Sequence, residues 1–94
     1  MKVTVLLPGT LRASAEGASR LDVELPGPVT LGAVLDELDI RYPALGKRLR
    51  DERAVLRRYV NFYVDGEDCR RLGGPATALH EGTEVQIIPS VAGG

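Results

Sequence analysis

The residues able to do chemistry are few, and the most suggestive group is not a side chain. The sequence ends Ser90-Val91-Ala92-Gly93-Gly94, so Gly94 offers a carboxylate on a segment almost without side chains. Glycine lacks a Cβ, so Gly93 and Gly94 can enter a narrow channel and adopt backbone angles barred to other residues. Fully extended, Ser90 to Gly94 would span about 16–18 Å, enough to reach a buried site on another protein while the body stays outside. Pro89 has no N–H and a fixed φ, which marks a boundary where sheet pairing would end. At average glycine usage of ~7%, two terminal glycines arise by chance in about 0.5% of chains, so the ending calls for an account.

The other candidates are weaker. Cys69 is the one cysteine, which rules out a disulfide within the chain and a cysteine-rich zinc site. It follows Asp65-Gly66-Glu67-Asp68, whose negative charge disfavours the reactive thiolate, so a structural or incidental thiol is expected. His80 stands alone beside a turn, with no cysteine or second histidine to complete a metal site, and reads as a surface residue. Asp65, Glu67 and Asp68 lack the spacing of a calcium loop and read as a solvated turn. Arg48, Arg50, Arg53, Arg57 and Arg58 form a basic run. Acidic residues sit among them, and Tyr59 is the one neighbouring aromatic, so a nucleic-acid role is disfavoured. The run reads chiefly as a solvated face, with an acidic partner surface as the alternative.

Composition narrows the class. The chain has 94 residues, which argues for one domain with one core and no deep interdomain cleft. A hydrophobic fraction of 44% with 27% charged residues suits a folded chain rather than a disordered one. The net charge of −1 lacks the basic bias of nucleic-acid binders. No run approaches the ~18–20 apolar residues of a membrane span. The short apolar run after Lys2 reads better as a strand than as a signal peptide. A cytoplasmic location is expected, with no nucleic-acid or membrane partner.

The elements that must carry the tail follow from periodicity. Val3, Val5 and Leu7 alternate with Lys2, Thr4 and Leu6, and Leu21, Val23 and Leu25 alternate with Asp22 and Glu24. Both segments read as half-buried strands joined by a long loop over residues 8–20. Leu31, Val34, Leu35, Leu38 and Tyr42 recur at helical spacing, with Thr30 placed as N-cap. Pro43 stops that helix and begins a short second one, in which Leu45 and Leu49 are four apart. Residues 51–58 have no clean period and read as turn or loop. Tyr59 to Val64 form a third strand, closed by Asp65-Gly66. Residues 70–79 read as irregular around Gly73-Gly74-Pro75, and Thr83 to Pro89 as a final strand. A main helix packed across one face of a small mixed sheet is the economical arrangement.

The order of elements, with "TLGAVLDEL", "YVNFYVDGED", "GGPATAL", "EGTEVQIIP" and terminal "VAGG", resembles the MoaD/ThiS family of ubiquitin-like sulfur carriers, and within it the CysO branch. The matching pieces cover roughly the last two-thirds of the chain. The resemblance implies an α+β, ubiquitin-like β-grasp fold. Four to five strands would form the sheet, one main helix would pack on one face, residues 1–89 would form the domain, and residues 90–94 a flexible tail.

It also implies a cycle. A ubiquitin-activating-type enzyme would join the Gly94 carboxylate to AMP, using ATP, and sulfur from a donor would displace AMP to leave a thiocarboxylate. The CysO likeness points to an aminoacrylate on a PLP-dependent cysteine synthase as acceptor, with a zinc-dependent peptidase freeing the new cysteine. The carrier itself would bind no cofactor and would not be an enzyme; ATP, PLP and zinc would belong to partners. Ser90, Val91, Ala92, Gly93 and Gly94 would be the segment that partners recognise. The rival readings are sulfur delivery to molybdopterin, thiamin or a secondary metabolite, a ubiquitin-like protein modifier, and an interaction domain.

Alternation leaves Leu6 and Ile88 facing outward. In a β-grasp sheet the first and last strands are parallel neighbours and the third strand is antiparallel to the last. Leu6, Tyr59, Asn61 and Ile88 would then form a partner-docking patch beside the tail.

Overall fold

A computed structural model of the chain describes residues 1–90. Strand β1 (Lys2–Leu6) pairs antiparallel with β2 (Arg20–Glu24), with Lys2 opposite Glu24 and Val5 opposite Leu21. The last strand, β7 (Glu84–Pro89), lies on the other edge of β1 and runs parallel to it, with Leu6 opposite Gln86. Strand β4 (Val60–Val64) pairs antiparallel with β7, Asn61 opposite Ile88, and the two-residue β5 (Glu67–Asp68) closes that side. The sheet order is β2-β1-β7-β4-β5, which puts the final strand in the centre. A small antiparallel ribbon joins β3 (Val29–Thr30) to β6 (Ala78–Leu79).

The alternation does what a half-buried sheet requires. Val3, Val5, Leu21, Val23, Val60, Phe62, Val64, Val85 and Ile87 are all buried on one face. Helix α2 (Leu31–Arg41) covers that face with Leu31, Val34, Leu35 and Leu38. Its start is capped as the sequence suggests: the Thr30 hydroxyl oxygen accepts from the Ala33 N–H at 3.2 Å. Pro43 opens α3 (Pro43–Leu49), which buries Leu45 and Leu49 against the same core.

The structure corrects two expectations. The long loop after β1 contains a helical turn, α1 (Gly9–Arg12), continued by a tighter turn over Ala13–Ala15. Leu11 and Ala15, four apart, both enter the core, but the small residues around them hide that period. The turn ends where Glu16 and Gly17 take positive φ, 57° and 86°. The irregular stretch after Cys69 likewise holds two short 3-10 turns, Cys69–Arg71 and Gly74–Ala76, before β6.

Arg50 is the second correction, because it belongs to no solvated basic face. It is only 7% exposed, and its Nη2 donates to Asp36 Oδ1 at 2.8 Å and also to Asp39. Burial pulls its pKa down, but hydrogen bonds to Asp36 and Asp39 and their charges outweigh that and hold it above the ordinary arginine value. A buried guanidinium needs such partners, since an unpaired one is costly to desolvate. The cluster ties the end of α3 to α2. The following stretch is a loop, as read: Asp51 Oδ1 accepts from the N–H groups of Arg53 and Val55, at 2.8 and 3.0 Å.

This cluster explains Gly46. A Cβ there would lie 1.7 Å from Asp39 Oδ1 and 3.1 Å from the Asp39 Cα. The oxygen cannot swing aside freely, because Asp39 is a ligand of Arg50. Gly46→Ala is therefore expected to destabilise the domain by about 1–3 kcal/mol, despite alanine's better helix propensity. Urea unfolding of the variant and the parent measures the difference.

Candidate functional site

Because β7 is central, its C-terminal end emerges between β1 and β4. Pairing with β4 runs to Pro89 opposite Val60 and is extended by one more bond, from the Ser90 N–H to the Tyr59 carbonyl at 2.7 Å. The Asn61 amide nitrogen donates to Ser90 Oγ at 3.1 Å. Ser90 is thus held by backbone and side chain. Val91, Ala92, Gly93 and Gly94 lie outside the described residues.

Ile88 and Leu6 both face away from the helices, Ile88 being 39% exposed and Leu6 half-buried. They line one shallow depression with Gln86, Arg12 and Arg20. Asn61 sits opposite Ile88 in the ladder. Tyr59 is 56% exposed and falls in a different, smaller depression, with Thr10, Lys47, Arg48 and Pro89. Leu6 and Ile88 therefore share one hollow, Tyr59 lines the other, and Asn61 lines neither. Among the described residues both hollows are lined by basic side chains and by no carboxylate.

Sequence reasoning missed Arg70. Its Nη1 donates to Asn61 Oδ1 at 3.2 Å, and its Nη2 to the Val60 and Arg57 carbonyls at 3.1 and 3.4 Å. Asp68 Oδ1 accepts from the Arg70 N–H at 2.9 Å, which starts the turn that returns Arg70 along β4. No local signal marks this: Arg70 meets Asn61 only because β4, β5 and the turn fold back.

The remaining candidates take structural places. Cys69 is fully buried, and burial is the chief cause that pushes its thiol pKa up. Arg70 opposes the rise and Asp68 adds to it, so the acidic neighbour named from sequence is a minor cause. His80 is exposed, with Nε2 at 3.4 Å from Asp65 Oδ2. Asp65 pins the turn to the start of β7, its Oδ1 accepting from the Glu84 N–H at 2.9 Å. Among the described residues no group of three or more histidine, cysteine or acidic side chains could hold a metal ion. None of the helices described is long and apolar enough to cross a membrane.

A mixed sheet with parallel first and last strands, crossed by helices on one face, defines the ubiquitin-like β-grasp class. The sequence pattern of the ThiS family matches residues 5–94. The chain belongs to the ThiS family. It is 44% identical over 96 residues to the sulfur carrier protein CysO of Mycobacterium tuberculosis, covering 100% of both chains. Among solved structures, it superposes on SAMP1 from Haloferax volcanii with a TM-score of 0.84 at 28% identity, covering 100% of each chain. It superposes on a chain of the Amycolatopsis orientalis BexX/CysO complex with a TM-score of 0.82 at 36% identity, covering 98% of this chain and 99% of that one.

The burial of Cys69 has a measurable consequence. The folded protein should resist alkylation by iodoacetamide at pH 8, while the denaturant-unfolded chain takes one label, as read by intact mass. The raised thiol pKa also has a sign for stability. Its contribution is whole below the unfolded thiol's pKa of about 8.5 and is lost as pH rises towards the folded value.

Proposed function

We propose that the protein is a sulfur carrier whose working group is the Gly94 carboxylate, and that the sulfur it carries goes to cysteine biosynthesis. The observation that supports this best is membership of the ThiS family joined to a fold whose central strand leads directly to the terminal glycines. The likeness to a sulfur carrier protein CysO over its whole length supports the cysteine route.

A carboxylate is a poor electrophile, being anionic and lacking a good leaving group. An activating enzyme of the ubiquitin-activating type removes that obstacle: a Gly94 oxygen attacks the α-phosphorus of ATP, an acyl adenylate forms, and pyrophosphate leaves. A sulfur nucleophile from the donor then attacks the acyl carbon and AMP leaves. With sulfide as that nucleophile, the C–S bond replaces the C–O bond to AMP and Gly94 holds a thiocarboxylate. That group is ionised near neutral pH and is a good nucleophile. Its sulfur attacks an electron-poor acceptor held by a PLP-dependent cysteine synthase, and a zinc-dependent peptidase hydrolyses the resulting link between Gly94 and the new cysteine. The ATP, PLP and zinc are bound by these partners, and the carrier is their shared substrate rather than an enzyme. All of this takes place in the cytoplasm.

Leu6, Ile88, Tyr59 and Asn61 are the surface that a partner body covers while the terminal segment enters its active site. Ile88, exposed at the root and flanked by Leu6, is its apolar centre.

Two experiments test this reading. Gly94→Ala should slow adenylation by about a hundredfold or more with unchanged thermal unfolding, because only the reacting end is altered. Intact mass after incubation with the activating enzyme, ATP and a sulfide source should show one oxygen replaced by sulfur. Conjugates of higher mass would point to a protein modifier instead, and no ATP-dependent change would overturn the carrier. Separately, Ile88→Asp should raise the Kd for the activating enzyme about tenfold while leaving the fold intact; an unchanged Kd would remove Ile88 from the docking surface.

A further inference from the structure

We infer that Arg70 and Asn61 are positioning residues: by holding Ser90 they set where the terminal segment leaves the sheet, and so how Gly94 is presented for activation. This rests on the carrier reading above.

A guanidinium has only donors, so the Asn61 atom facing Arg70 must be its oxygen. The Asn61 nitrogen is thereby forced towards Ser90, where Oγ accepts from it. The orientation of one amide is fixed by an arginine on one side and read by a serine on the other. Arg70 is itself fixed, by the Val60 and Arg57 carbonyls and through the Asp68 cap of its own turn. The Ser90 N–H is held as well, by the Tyr59 carbonyl. A residue gripped at both its backbone and its hydroxyl loses rotational freedom about the β7 axis.

The location gives this network its consequence. Four residues follow Ser90, and fully extended they reach about 13–14 Å. With so short a reach, the direction at the root decides where the last carbonyl can go. A root ordered in advance also lowers the entropy that a partner must remove on binding. None of the three side chains is needed for the core: Arg70 is exposed, Asn61 is half-buried and Ser90 is exposed.

The test uses the full chain with Asn61→Ala, Arg70→Ala, Ser90→Ala and Ser90→Thr. The Ser90 amide in Asn61→Ala and Arg70→Ala should exchange with deuterium about tenfold faster than in the parent, with thermal unfolding unchanged. In ATP–pyrophosphate exchange with the activating enzyme, Arg70→Ala, which lies outside the docking surface, and Ser90→Ala should raise the KM for the carrier about threefold to tenfold with kcat held. Ser90→Thr, which keeps the hydroxyl, should behave like the parent. Unchanged Ser90 exchange in both Asn61→Ala and Arg70→Ala would overturn the inference, as would an unchanged KM, or a Ser90→Thr variant as impaired as Ser90→Ala. A parent chain that supports no exchange of pyrophosphate would overturn the carrier reading instead, while the Ser90 amide would still decide whether the network holds the root.

Discussion

The last strand to be made is the strand at the centre of the sheet, and the rest of the structure answers to that constraint. β7 pairs with β1 over Glu84 to Gln86 and with β4 over Val85 to Pro89, so its first half is held along both edges and its last residues by β4. Its register cannot slip: a shift by one residue would turn Val85 and Ile87 to solvent and bring Glu84, Gln86 and Ile88 inside. The parallel pairing with β1 demands that the chain cross the sheet between them, and α2 and α3 make that crossing while covering the apolar face. Towards its end β7 is held by β4 and by the bond from the Ser90 N–H to the Tyr59 carbonyl.

Two arginines brace this arrangement, by different means. Arg50 is buried and paired with Asp36 and Asp39, which locks α3 onto α2 and leaves no room for a side chain at Gly46. Arg70 lies at the surface and spends its donors on two carbonyls and one amide oxygen around β4. Neither is free for an external anion in the way a basic run suggests. The other basic residues near the exit, Arg12, Arg20, Lys47 and Arg48, line hollows with no carboxylate among the described residues, although Arg20 Nε lies 3.6 Å from Asp22 Oδ1 just outside.

What could be read from sequence was local or periodic. The alternation in β1, β2 and β7 assigns their side chains face by face, and the spacing of Leu31, Val34, Leu35 and Leu38 gives the buried side of α2. The Thr30 cap was visible because a hydroxyl before an apolar helix start has a specific task. The outward phase of Leu6 and Ile88 was visible for the same reason that Val85 and Ile87 were inward. What escaped depends on contacts between distant segments. The β3–β6 ribbon has two residues on each side, too few for any alternation to register. Arg50 carries the same label as its neighbours in a charged run, and only the approach of α2 reveals its partners. Asn61 was placed by phase, but its link to Ser90 spans 29 residues and its link to Arg70 depends on a turn that reverses the chain.

Cys69 completes the argument about division of labour. On the proposed cycle, a thiolate within reach of the activated acyl group would attack the same carbonyl that the sulfur donor attacks. The chain has a single thiol, and the fold removes it from reaction in two ways. It is fully buried, and that burial raises its pKa, so the nucleophilic form is both inaccessible and scarce. The 3-10 turn that begins at Cys69 carries the thiol inward and, one residue later, sends Arg70 outward to Asn61. One short turn thus silences the side-chain sulfur and steadies the residue from which the terminal glycines depart.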